Sequence, residues 1–177
     1  MQIKEIDLHG WFPGQSQTLL EPLMKKHGIQ SVIEIGCFLG RATFFFAQRC
    51  DKVTVVDTFE GNDEPYMGTV KDRLPTLLPQ FLYNMAHLRV ATKIHTIALP
   101  SEIAACLYPD LTADLVYIDA SHKYLDVKED IRLWLPRAKK VFCGDDYTNG
   151  VGREVKQAVD ELLPQANRNQ RLWYVER

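Results

Sequence analysis

Residues 32–43 read Val32-Ile33-Glu34-Ile35-Gly36-Cys37-Phe38-Leu39-Gly40-Arg41-Ala42-Thr43. The run Ser31–Ile35 (SVIEI) is short and rich in β-branched residues, which predicts a strand. Gly36 stands where that strand must turn sharply, and Gly40 where a helix over Arg41–Arg49 begins. Lacking Cβ, both glycines allow backbone to approach a ligand closely. Phe44, Phe45 and Phe46 read as core residues of that helix. The pattern is not G-x-G-x-x-G, because the further glycine of the dinucleotide fingerprint is missing. An acidic residue two places before the first glycine, Glu34, suits a ligand with a cationic amine.

Outward from this stretch, short apolar runs alternate with longer helix-patterned segments. Gln15–His27 carries Leu19, Leu20, Leu23 and Met24 on one face and ends at Gly28, as helices often do. Lys52–Val56 (KVTVV) predicts a second strand, Lys93–Ile97 a third, Ala113–Ile118 a fourth and Lys139–Cys143 a fifth. Between them lie a polar loop over Asp57–Met67, a proline-interrupted helical region over Leu74–Leu88, a short helix over Ser101–Leu107 and a helix over Leu125–Leu135. A helix over Val151–Leu163 and a strand over Leu172–Val175 close the chain. Alternation of this kind predicts a three-layer, doubly wound α/β fold with a mostly parallel sheet. Ligands of such sheets bind beyond the carboxyl ends of the strands. The loops after Ile35, Val56, Ile97, Ile118 and Cys143 are therefore where chemistry is expected.

Asp57 follows the second strand and lies 17 residues after Gly40. In nucleotide-binding α/β folds, an acid near that place accepts hydrogen bonds from ribose hydroxyls. The alternative is a helix cap or a solvated turn residue. Phe59 could pack on an adenine face or serve the core.

Four segments carry a resemblance: VIEIGCFLGRAT, VTVVDTFEGN, DLVYIDASHKYLDVKEDIRLWLP and VFCGDDYTNGVGREV. Together they resemble class I S-adenosylmethionine-dependent methyltransferases of Rossmann-like fold over about residues 15–163. The resemblance is closest to the branch with a D-x-x-H-x-Y motif after the fourth strand, here Asp119-Ala120-Ser121-His122-Lys123-Tyr124, the macrocin-type sugar O-methyltransferases. It implies that Glu34, Gly36 and Gly40 line the methionine and ribose part of S-adenosylmethionine. It implies too that Asp57 holds the ribose hydroxyls, that Ser101 lies near adenine, and that Asp119 sits where cofactor meets acceptor. Leu99-Pro100 replaces the small residues more usual before Ser101.

Asp119 and Asp145 end the fourth and fifth strands, and Asp146 adds a third acid. If those two strands are neighbours they run about 4.8 Å apart, and the carboxylates converge on one cavity. Like charges that close are costly unless a cation or proton joins them, and carboxylates select hard ions such as Mg²⁺. Asp119, Asp145 and Asp146 are thus candidate metal ligands. The alternative is a helix cap and a cofactor contact with no metal. His122, three residues after Asp119, is the candidate base for deprotonating a hydroxyl acceptor, since imidazole titrates near neutral pH; a loop histidine fixing Asp119 or Tyr124 is the other reading. Tyr147 and Asn149 are candidate acceptor contacts, and Trp11 and Phe12 candidate covers of the site.

The ending is short for such a fold, so a C-terminal edge strand is expected to be missing. A homo-oligomer that completes the pocket is one consequence. Composition sets the remaining bounds. The 177 residues suit a single domain spanning 1–177, and 46% hydrophobic residues supply its core. A net charge of -2 from 21 basic and 23 acidic residues, without a basic tract, gives no reason to expect nucleic acid or an anionic membrane as partner. The N-terminal stretch lacks a signal-peptide pattern and no apolar run approaches a bilayer span. Cys37, Cys50, Cys106 and Cys143 form no C-x-x-C pair and read as mostly buried free thiols of a reducing, cytoplasmic setting. The function expected is methyl transfer to a hydroxylated small molecule or sugar. A non-catalytic S-adenosylmethionine binder and, third, a nicotinamide-dependent oxidoreductase are the alternatives.

Overall fold

Ser31–Ile35 forms β1, and its alternate residues feed two separate cores. Val32 belongs to one apolar cluster and Ile33 and Ile35 to the other. A strand buried on both faces reads as a near-continuous apolar run, which β1 keeps in Val32, Ile33 and Ile35 and breaks at the buried Glu34. A computed structural model describes residues 3, 5–61, 72, 74–150 and 152–177. The further strands are β2 (Lys52–Asp57), β3 (Ile94–Ala98), β4 (Ala113–Ile118), β5 (Ala138–Gly144), β6 (Asn167–Asn169) and β7 (Leu172–Glu176). The helices are α1 (Gly14–His27), α2 (Arg41–Ala47), α3 (Leu77–His87), α4 (Ser101–Leu107), α5 (Tyr124–Trp134) and α6 (Arg153–Leu162). Parts of the expected Asp57–Met67 loop, and Val151 at the head of the last helix, lie outside the described residues.

The sheet order is β3-β2-β1-β4-β5-β7-β6. β1 to β5 are parallel, and β7 runs antiparallel to both β5 and β6. Helices α1, α2 and α3 cover one face through Leu20, Phe46 and Phe81; α4, α5 and α6 cover the other through Ala104, Trp134 and Val159. This is the doubly wound, Rossmann-like architecture that the alternation predicts. Strand order reverses between β1 and β4, and register places Ile35 beside both Val56 and Ile118, with Ile118 beside Gly144. The tips of β2, β1, β4 and β5 therefore end level, and the residues that follow them share one crevice.

The expected loss of an edge strand is not what the structure shows. Asn167–Asn169 forms β6, and Gln170 and Arg171 turn the chain into β7. β6 is three residues long, wholly polar and exposed, so hydrophobic periodicity gives no sign of it. Gln170 makes the tight reversal by adopting φ 57°, a left-handed geometry. Cys37, Cys50 and Cys143 are buried and Cys106 is exposed, all as free thiols. Among the described residues no helix is long and apolar enough to cross a membrane.

Candidate active site

Gly36 leaves β1 at φ 84°, and a Cβ there would come within 2.3 Å of the Asp119 carbonyl oxygen. The turn after β1 thus passes directly over the tip of β4, a path only glycine permits. Its amide donates to the Val56 carbonyl at 2.9 Å. Asp57, at the end of β2, fixes the rest of the turn. Its Oδ2 accepts the backbone N–H groups of Cys37 (2.7 Å) and Phe38 (2.9 Å), and its Oδ1 that of Phe59 (2.7 Å). Phe38 is held at φ 48° by this arrangement.

Two adjoining cavities open over the strand tips, of about 380 and 550 Å³. Both are lined by Trp11, Gly36, Phe38, Asp119 and Ala120, so they form one cleft across the point where strand order reverses. Asp57 and Ser101 line the larger half. Ser101 Oγ donates to Asp130 Oδ1 at 2.5 Å. Asp130 is buried, and burial raises its carboxyl from 3.8 to about 7 despite the Ser101 bond, with repulsion from Asp126, Glu102 and Glu129 adding to the rise.

Glu34, Asp119, His122, Asp146 and Arg171 line the smaller half. Glu34 is fully buried; Thr43 Oγ1 donates to its Oε2 at 2.6 Å, while among the described residues Oε1 has no hydrogen-bond partner. Burial drives its pKa well up, and Asp119 and Asp57 add repulsion. A buried carboxylate oxygen without a donor is costly. A ligand bringing a cationic amine into this cavity would satisfy it, so the residues present fit the cofactor that the resemblance implies.

Asp119 is half-buried where the two cavities meet. The Tyr117 hydroxyl donates to it at 3.3 Å. Burial first, then repulsion from Asp145 and Asp146, raises its pKa, against the pull of His122 and Arg171. His122 Nε2 lies 2.7 Å from Asp146 Oδ2, so a carboxylate orients the imidazole. Trp11 stands at the mouth, 45% exposed and tilted against Phe38, and Phe12 is buried beneath.

Several expectations need correction. Gly40 does not line the cleft; a Cβ there would strike Met85 and Phe81, at 2.6 and 2.9 Å, so its role is packing at the head of α2. Phe59 is buried against Phe81, 5.3 Å between ring centroids, which makes it a core residue rather than an adenine platform. Tyr147 turns to α6, where its hydroxyl donates to Asp160 at 2.8 Å, and Thr148 rather than Asn149 lines the cavity. Asp119, Asp145 and Asp146 do not form an open metal site. Asp145 Oδ1 accepts Arg171 Nε at 2.6 Å and the Asp146 amide at 2.8 Å; its Oδ2 accepts Ser16 Oγ at 2.8 Å. Asp146 is shared between Arg171 and His122. Among the described residues no group of three or more such side chains could hold a metal ion. Sequence reasoning missed Arg171, Ser16, Tyr117, Thr43 and Asp130. Arg171 and Ser16 lie outside the four segments that carry the resemblance; Thr43, Tyr117 and Asp130 lie inside them, but in a helix or a strand interior rather than at a strand tip.

The fold is the Rossmann-like one found in methyltransferases. Residues 33–147 match the family model described as "Methyltransferase domain", and the chain belongs to that family. Among solved structures it is similar to an O-methyltransferase from Bacillus cereus in complex with SAH (TM-score 0.69, 14% identity, 97% of this chain and 84% of that one). It is also similar to CalS11, a TDP-rhamnose 3'-O-methyltransferase of calicheamicin biosynthesis (0.61, 15%, 92% and 77%). A third is a precorrin 8w decarboxylase from Methanobacterium thermoautotrophicum (0.64, 15%, 99% and 91%). At these identities the likeness is one of fold. No curated protein matches the sequence significantly.

Proposed function

We propose that this chain, acting as one domain over residues 1–177, is an S-adenosylmethionine-dependent O-methyltransferase for a hydroxylated small molecule or sugar. One observation carries the reading. Glu34, whose buried Oε1 lacks a hydrogen-bond partner among the described residues, and the His122–Asp146 pair line the same cavity, with Asp119 at the tip of the strand between them. An anionic anchor suits the cofactor's amine, and an oriented imidazole suits an acceptor that must lose a proton. Asp57 and Ser101 line the other half of the cleft, which would take the ribose and adenine, Asp57 by shaping the turn through the amides it holds.

When bound, S-adenosylmethionine supplies an electrophilic methyl group on a sulfonium. An acceptor oxygen would take that methyl group as the sulfur left as a neutral thioether. His122 takes the hydroxyl proton. Asp146 holds the ring and stabilises the imidazolium that results. Asp119 orients the acceptor where the two cavities join. The known O-methyltransferase structures of this fold, one with SAH and one acting on a deoxysugar nucleotide, support the cofactor and acceptor class. Buried free thiols support a reducing, cytoplasmic setting.

Calorimetry with S-adenosylhomocysteine, followed by methyl transfer to a panel of catechols and deoxysugars, tests the proposal. His122→Ala should lower turnover by about 10²–10⁴-fold and leave S-adenosylhomocysteine affinity unchanged; Asp146→Asn should cost less. No heat with S-adenosylhomocysteine sinks the reading, and heat without turnover on any acceptor favours a non-catalytic binder.

A further inference from the structure

Three carboxylates at the tips of neighbouring strands should repel one another strongly, yet Asp145 is 2% exposed and stays buried beside Asp146. The structure shows what makes this tolerable. Arg171, in the turn between β6 and β7, reaches back to the tip of β5. Its Nε meets Asp145 Oδ1 at 2.6 Å and its Nη2 meets Asp146 Oδ1. The backbone locks the turn in place, because the Tyr147 amide donates to the Arg171 carbonyl at 2.8 Å. A guanidinium fork across two carboxylates is fixed in direction as well as charge, which a flexible ammonium is not.

Every oxygen of the two acids is engaged. Asp145 Oδ2 accepts from Ser16 Oγ, reached from α1, and Asp146 Oδ2 faces His122. Arg171 also lines the smaller cavity beside Asp119 and His122, and among the described residues its Nη1 has no partner. The positive charge therefore stands at the place where sequence alone suggests a divalent ion.

We infer that Arg171 is the resident cation of the acceptor site: it neutralises Asp145 and Asp146, holds His122 through Asp146, and removes the need for a divalent metal. This rests on the methyltransferase reading for its purpose but not for its test. The β6–β7 hairpin is then more than a sheet edge, since it delivers the charge. Arg171 is a positioning residue, acting on the acceptor through the acids it holds.

Mn²⁺ is the probe, followed by the loss of its free electron-spin-resonance signal in the presence of the full chain. Wild-type protein should leave that signal unchanged up to about 1 mM, because the hard-ion ligands are already taken. Arg171→Ala frees two carboxylates beside Asp119 and should bind one Mn²⁺ per chain, at least about tenfold more tightly than wild type. Arg171→Ala combined with Asp145→Asn should lose it again. Stoichiometric Mn²⁺ binding by the wild type that Asp145→Asn abolishes would overturn the inference, as would a folded Arg171→Ala that gains no Mn²⁺ site. Should Arg171→Ala fail to fold, the wild-type titration set beside Asp145→Asn still decides. S-adenosylhomocysteine calorimetry on the same samples, with and without chelator, reports on the methyltransferase reading separately.

Discussion

Glu34 shows how one side chain can be costly at rest and useful when the site fills. Its Oε1 is buried with no donor among the described residues, and burial holds its pKa well above the usual carboxylate range. A cationic amine beside it would supply both the missing hydrogen bond and the missing charge. Glu34→Gln keeps the shape and the Thr43 bond but removes the anion. S-adenosylmethionine affinity should fall about 10–100-fold, in line with a charged hydrogen bond worth about 1.5–3 kcal/mol. The ligand-free protein should be no less stable than wild type, because the amide replaces an acid whose ionisation burial already penalises. Calorimetry and thermal unfolding read the two effects apart. Unchanged affinity would remove Glu34 from the cofactor site. Asp57 serves differently: its carboxylate is spent on the amides of Cys37 and Phe38, so it shapes the turn that meets the ligand.

Elements differ in how plainly the sequence announces them. β1, β2, β4 and β5 were legible because strands buried on both faces are short apolar runs bounded by glycine or acid. Helices α1, α5 and α6 were legible because one face alone is apolar. β6 was not, since Asn167–Asn169 offers no apolar residue. Arg171 was hidden for the same reason: a turn arginine carries no periodicity, and its partners lie 25 and 26 residues away. Phe59 and Gly40 misled because a ring or a glycine near a motif reads alike whether it meets ligand or core. The hairpin itself docks on β5 through Trp173, which is fully buried, packs 5.4 Å from Phe142 and donates to the Asp145 carbonyl at 3.1 Å. Gly144 makes room for it, as a Cβ there would lie 2.4 Å from the indole and 2.7 Å from the Ile118 carbonyl. Gly144→Ala should therefore destabilise the fold by about 1–3 kcal/mol or more by overpacking. Urea unfolding measures this, and an unaltered midpoint would mean that the hairpin docks without Trp173 in that slot.

Across the whole molecule, buried acids set how stability varies with pH. Glu34, Asp119, Asp130 and Asp145 all have raised pKa values, each first through burial. A raised acid means that the folded state binds more protons than the unfolded one, so stability falls as pH rises from the unfolded value to the folded value. Carboxylates hydrogen-bonded to lysines work oppositely. Asp160 (to Lys156), Glu161 (to Lys128) and Glu176 (to Lys26) are lowered, and what they add is lost only in acid. Stability should accordingly peak near about pH 4–5 and decline towards about pH 8. Asp130 isolates the effect, because its carboxyl moves from 3.8 to about 7 and it is only 4% exposed. That shift corresponds to about 4 kcal/mol between its two protonation states. Asp130→Asn keeps an acceptor for Ser101 and cannot ionise. Its advantage over wild type should be close to nothing at about pH 4, grow through neutrality, and approach about 4 kcal/mol at about pH 8. Chemical denaturation across that range checks the sign; an advantage that shrinks as pH rises would show that Asp130 is stabilised as a carboxylate, with a donor other than Ser101 in the larger cavity.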